Sequence, residues 1–147
     1  MAHSQLSEGE SLGHLLRDTY RALSRELLER IAPYVIGLGQ WYFLRALWNE
    51  DGLTQRELSG RVGLEQSTAV TALRALEAGG WIRRVRDEDD GRRRLVYLTP
   101  RGRKLKDRLI PIARELNAAA AADLSAAETR QLKRLLQRLR DTLLRDG

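Results

Sequence analysis

Residues 54–99 leave little choice of fold. Thr54-Gln55-Arg56-Glu57 has the spacing of a capping box, in which the hydroxyl accepts from the third helical amide. It opens a short helix, TQRELSGRV, with Leu58 and Val62 on one side. Gly63-Leu64 makes the turn, and EQSTAVTALRALEAGG then carries Ala69, Ala72, Leu73 and Leu76 as an apolar stripe at helical spacing, stopped by Gly79-Gly80. Two β-capable runs, WIRRVR and RLVYLT, follow at once. The DEDDGRR between them contains an Asp-Gly turn signal that permits positive φ. Two helices on a tight turn, the second running into a hairpin with a charged tip, predict a helix-turn-helix with a β-hairpin attached.

Helical signals continue on both sides. Ser7-Glu8-Gly9-Glu10 reads as a capping box for a long helix in which Leu12, Leu15, Leu16, Leu23, Leu27 and Ile31 recur at helical spacing. QWYFLRALWNEDG reads as a second helix, closed by Asp51-Gly52. After the hairpin, Thr99-Pro100 supplies an N-cap followed by proline at the first helical position, and Pro111 predicts a kink near 107–111 or a division into two helices. Ser125-Ala126-Ala127-Glu128 caps a last helix striped by Leu132, Leu135, Leu136, Leu139, Leu143 and Leu144. The first and last helices each carry more leucine than the middle of the chain can cover. Burying these stripes across two chains, at about 25 cal/mol per Å² of apolar surface, predicts a homodimer.

Charge identifies a partner. Residues 54–106 hold 13 Lys or Arg against 7 acids, whereas the remainder holds 13 of each, so the excess of +6 lies in the middle third. A localised basic patch on a helix-turn-helix suits a polyanion, above all nucleic acid. Composition excludes other classes. Without cysteine there is no disulfide, thiolate zinc site or thiol nucleophile, and His3 and His14 are too few for a histidine-rich metal site. No G-x-S-x-G, P-loop, H-E-x-x-H or complete dinucleotide fingerprint occurs, so neither an enzyme nor a cofactor is expected. No apolar run near Met1 resembles a leader and no stretch suits a membrane span, which predicts a cytoplasmic protein.

The stretch from LGQWYFLRALWNEDG through LTQRELSGRVGL, Ser67-Thr68, Leu76-Glu77, the Asp-rich tip and LTPRG resembles the winged helix-turn-helix core of the MarR family of bacterial transcriptional regulators. The resemblance implies a mainly α (α+β) fold in one domain. Within it, residues 33–100 form the DNA-binding lobe, and 7–32 with 101–147 form helices for dimerisation. It further implies a sequence-specific regulator, expected to be a repressor, that binds a palindromic operator as a homodimer. A sequence-tolerant architectural protein is the alternative.

Residue roles follow from faces and from the family pattern. With the alanine-leucine stripe inward, Gln66, Ser67, Thr68, Val70, Thr71 and Arg74 remain for DNA, and Thr54 and Gln55 at a helix N-terminus suit phosphate. Arg86, Arg92, Arg93 and Arg94 belong to the basic hairpin. In the family's wing, two aspartates three residues apart precede two arginines, and an aspartate holds the arginine that enters the minor groove. Asp87 and Asp90 match, Gly91 replaces the first arginine and Arg92 takes the second place, so the resemblance gives the groove to Arg92 and leaves Arg93 and Arg94 as phosphate contacts or as alternates for that task. It also implies an effector pocket where the helical and DNA-binding parts meet, with His14, Trp41 and Arg45 as lining candidates. Five of the eight aromatic residues fall between Tyr34 and Trp48. With no cysteine for peroxide sensing, a small aromatic or amphipathic acid is the expected ligand.

Overall fold

A computed structural model of the chain describes residues 7–145; Met1 to Gln5, with His3, lie outside them. Helix α1 spans Leu12–Ile31 and leads through a 3-10 turn, Ala32–Tyr34, into α2, Leu38–Asn49. Strand β1, Leu53–Thr54, precedes α3, Gln55–Val62, and α4, Gln66–Ala78. Strands β2, Ile82–Arg86, and β3, Arg94–Leu98, then lead to α5, Pro100–Ala120, and α6, Ala126–Arg145. Residues through Ala113 form one compact unit and those from Arg114 another. Among the described residues no helix is long and apolar enough to cross a membrane, and no group of His, Asp and Glu could hold a metal ion.

The caps fall largely where short-range chemistry places them. Thr54 Oγ1 accepts from the Glu57 amide at 3.1 Å, and Gly63 closes α3 at φ +71°, a left-handed cap that costs glycine no steric penalty. At α6 the box is reciprocal: Ser125 N donates to Glu128 Oε1 at 2.8 Å and Glu128 N to Ser125 Oγ at 3.1 Å. The first box differs from expectation. Ser11 caps α1, accepting from His14 N at 3.2 Å, while Ser7 Oγ donates to Glu10 in a turn ahead of the helix. Gly9 in the first turn of the longer helix would disfavour it. Helix α5 runs unbroken through Pro111, so the division into two helices does not occur.

Packing of the first unit rests on α2 and α4. Trp41, Phe43, Leu44 and Leu47 of α2 are buried, as are Ala69, Ala72, Leu73 and Leu76 of α4, the stripe read from the sequence. The hairpin forms in the register Ile82↔Leu98 through Arg86↔Arg94. The strand Leu53–Thr54 was not expected; two residues carry no periodicity, and they pair with Val96 and Leu95 to give the sheet order β1-β3-β2. At the hairpin base, Thr99 Oγ1 donates to the Gly80 carbonyl at 2.6 Å and accepts from Gly102 N at 3.0 Å. Arg101 lies 4.1 Å over the Trp81 ring and donates to the Gly79 carbonyl.

Val35 adopts φ +58° although it is β-branched, and it is 84% exposed. A left-handed residue of this kind costs roughly 1–2 kcal/mol, against about 0.5–1 for the extra freedom glycine loses on folding. Val35→Gly is therefore expected to raise stability by about 0.5–1 kcal/mol, visible as a higher denaturation midpoint at unchanged slope. A lower midpoint would mean that the valine side chain makes contacts that outweigh its strain.

Candidate nucleic-acid interface

Three elements of the first unit line one open groove of about 930 Å³: the N-terminus of α3, the start of α4 and the hairpin tip; Ser67, Thr68 and Thr71 border a second depression, against α2. Thr54, Gln55, Gln66, Val70, Arg84, Arg92, Arg93 and Arg94 are among its lining residues. On α4, Gln66, Ser67, Thr68, Thr71 and Arg74 are all exposed, as the inward stripe requires. Thr71 Oγ1 donates to the Ser67 carbonyl at 3.1 Å, which leaves its methyl group and the oxygen's two lone pairs for a partner. Such a face can meet base edges in a wide groove, with amide, hydroxyl and methyl groups each matched to a different base edge.

Thr54 is 7% exposed and caps α3, its Oγ1 accepting from the Glu57 amide, which leaves the hydroxyl proton for a phosphate oxygen at the edge of the groove. Gln55 is partly exposed at that helix start and remains suited to phosphate.

The hairpin tip uses its acids first to shape the loop. Asp87 Oδ1 accepts from Asp89 N at 3.0 Å and Asp90 Oδ1 from Arg92 N at 3.1 Å, two side-chain turns closed by the Asp87 N to Arg93 O bond at 3.0 Å. Gly91 does not take positive φ; the carboxylates turn the chain instead. The second acidic task is orientation. Asp87 Oδ2 accepts from Arg93 Nη2 at 2.9 Å, and Asp90 lies 3.8 Å from Arg93 Nε. The arginine held by acid is thus Arg93, whereas among the described residues no carboxylate lies within ion-pair distance of Arg92.

The Asp89 amide, and after it the Arg93 guanidinium, hold the Asp87 carboxyl below the ordinary carboxylate range. Stabilisation from a depressed carboxyl is present above its unfolded pKa and is lost as pH falls through the lowered folded value, so what Asp87 contributes to the loop is present at neutral pH and lost in acid. Opposing this order, Arg86 and Arg94 stand directly across the hairpin from each other, a like-charge pair that a fold alone would avoid. An unpaired concentration of cations of this kind is relieved by an anion.

Of the three candidates for an effector site, Trp41 and Arg45 come together on α2. Trp41 is buried and packs edge-on to Trp48 at 5.9 Å between ring centres, with Arg45 5.7 Å over its ring. His14 stands instead beside Asp18 and Glu8, at 3.1 and 3.6 Å. Tyr42 does link α2 to α1 by donating to the Tyr20 hydroxyl at 3.3 Å, and burial together with that neighbour pushes its phenol up to about 12. Sequence reasoning missed Arg84 and Glu77. Arg84 Nε and Nη2 donate to the two Glu77 oxygens at 3.2 and 2.9 Å and its Nη1 to Gln55 Oε1 at 3.2 Å, lowering the Glu77 carboxyl and raising the Arg84 guanidinium. Partners seven and 29 positions away leave no local spacing signal.

Comparison with known proteins agrees with this arrangement. The MarR family pattern matches residues 36–93. The HTH-type transcriptional repressor Rv2887 of Mycobacterium tuberculosis is 31% identical over 91% of this chain and 96% of its own length. The crystal structure of a MarR transcriptional regulator from Methanosarcina mazei Go1 superposes with a TM-score of 0.87 at 29% identity, covering 92% of this chain and 91% of that one. Staphylococcus aureus MepR, solved as a DNA complex, gives 0.80 at 26% identity over 90% and 98%. With its buried α4 stripe, acid-shaped wing and three-stranded sheet, the chain belongs to the MarR family of winged helix-turn-helix transcriptional regulators.

Proposed function

We propose that the protein is a cytoplasmic, sequence-specific repressor that binds a palindromic double-stranded DNA operator as a homodimer. The observation that carries this reading is the groove joining the start of α4, at Gln66 and Val70, to a hairpin tip with three consecutive arginines, beside which Ser67, Thr68 and Thr71 are exposed on the same helix. In it, α4 enters the major groove and reads bases through Gln66, Ser67, Thr68, Thr71 and Arg74. Gln55 grips phosphate. The wing reaches the adjacent minor groove, where a narrow A·T-rich segment attracts an inserted arginine.

Dimerisation is supported by apolar surface left open on the terminal helices, each taken by itself. On α1, Leu12, Leu15, Leu16 and Tyr20 are exposed, and α6 buries no residue, with Leu143 at 74% exposure. A monomer rarely keeps such stripes in water. Two copies would repeat α4 at about one helical turn, roughly 10–10.5 base pairs, which makes the operator symmetric.

Release by a small aromatic or amphipathic acid completes the proposal. It rests on the family resemblance and on the aromatic content of α2, with Arg45 as a cation 5.7 Å over the Trp41 ring. An aromatic carboxylate should raise the melting temperature and free bound DNA; an unchanged melting curve with DNA still bound would remove the effector.

The deciding experiment is selection from random double-stranded DNA with the full chain, followed by light scattering of the protein at micromolar concentration. Expected are an inverted repeat, preferred over random duplex by about 10³ or more, and a dimer mass. Binding without preference would replace the repressor with an architectural protein, and a stable monomer would remove the palindrome.

A further inference from the structure

Arg84 sits where three DNA-facing elements meet, yet it is itself mostly covered, with its side chain 18% exposed. Its strand, β2, carries the wing; Glu77 lies in the last turn of α4; Gln55 is the first residue of α3. A planar guanidinium spends two donors on the Glu77 carboxylate and a third on the Gln55 side chain. We propose that Arg84 is a positioning residue for DNA reading, fixing the wing and the α3 start to the recognition helix and setting the polarity of Gln55. The proposal rests on the operator-binding reading above.

Two physical points carry it. The first concerns Glu77. An acid near the C-terminus of α4 opposes the helix dipole, and beside a DNA-binding face it also repels phosphate. Neither helix formation nor DNA attraction favours a carboxylate there, whereas a fork-to-fork pair with Arg84 makes use of it and is rigid in direction as well as strong. The second concerns Gln55. Arginine can only donate, so the oxygen of the Gln55 amide must face Arg84, and the NH2 group is turned outward. Gln55 then meets DNA as a donor alone, which selects a phosphate oxygen or another acceptor and rejects base donors.

The test compares the full-length protein with its Glu77→Gln and Arg84→Lys variants on two probes: the duplex enriched by the wild-type chain from random DNA, and a scrambled duplex of the same length and composition. Glu77 touches no DNA in this scheme, and Glu77→Gln removes one negative charge, which by itself favours any duplex. Expected is the reverse split: scrambled-duplex affinity is unchanged or higher in Glu77→Gln, while preference for the selected duplex falls about tenfold in both variants, roughly the loss of one charge-assisted fork. Partial unfolding would weaken both probes together and leave the ratio alone. Gln55→Ala should weaken both duplexes equally and, being neutral, leave the salt slope in place. Glu77→Gln with full preference would overturn the positioning role, including the case in which Arg84→Lys alone loses affinity, because Arg84 would then be acting directly on phosphate. A wild-type chain that enriches no duplex would sink the regulator reading, and this role with it.

Discussion

Arg93→Ala is expected to lower affinity for the selected duplex by about ten- to a hundredfold, or ~1.4–2.7 kcal/mol, and Arg92→Ala by clearly less. Both variants remove one positive charge from neighbouring positions of the same loop, so each should flatten the dependence of log affinity on log salt by about 1. The difference between them isolates orientation. Arg93 is already held by Asp87 at 2.9 Å and flanked by Asp90, so its side chain surrenders less freedom on entering a narrow groove than Arg92, for which among the described residues no acid lies in range. The Arg93→Ala loss should also concentrate at A·T-rich flanks, since minor-groove width is what an inserted arginine senses. Fluorescence anisotropy at several salt concentrations measures both effects. If Arg92→Ala costs more, Arg93 is a brace for the loop and its neighbour is the reader, the assignment that the family's wing pattern implies. If neither variant changes affinity or slope, the wing takes no part in binding.

Gly102→Ala is expected to cost about 3 kcal/mol of stability or more, a drop of roughly 6–12 °C in melting temperature for a chain of this size. A β-carbon at 102 would overlap the Trp81 carbonyl oxygen, lie 3.1 Å from that carbonyl carbon and 3.3 Å from Leu98 Cδ2. The obstacle is backbone, tied down on its other side by Thr99 N, which donates to the same Trp81 oxygen at 3.0 Å. Nor can α5 withdraw freely, because Trp48 Nε1 donates to the Gly102 carbonyl at 3.0 Å. Gly60→Ala is the control. Gly60 lies inside α3 with nothing within 4 Å of an added β-carbon, so alanine there should stabilise by roughly 0.5–1 kcal/mol through helix propensity. Urea denaturation of the two variants gives the comparison. A Gly102→Ala protein as stable as the parent would mean that α5 and the hairpin base do not meet as described.

The elements most legible in the sequence were those fixed by repetition or by a short-range cap. The α4 stripe of Ala69, Ala72, Leu73 and Leu76 is buried as its 3.6-residue spacing requires, and Thr99-Pro100 and Ser125 to Glu128 start helices where their side chains can reach free amides. Competition between two local signals was harder to read. Ser7 and Ser11 both offer an N-cap, and the flexible backbone of Gly9 decides for the second. At the hairpin tip, Asp-Gly pointed to a glycine turn, but two aspartates supply the turn through their own oxygens and leave Gly91 at ordinary φ. Contacts between distant segments were invisible: the pairing of Leu53 with Val96 and the reach of Arg84 to Gln55 depend on a completed sheet.

The stacking of Arg101 on Trp81 has a practical outcome. All three tryptophans of the chain occur between positions 41 and 81, and the Trp81 indole lies beneath a guanidinium at the root of the wing. Residues 114–145 contain none. Tryptophan emission from the unlabelled protein therefore originates wholly in the lobe that carries the candidate interface, and a titration with duplex would be reported by an optical probe the chain already carries.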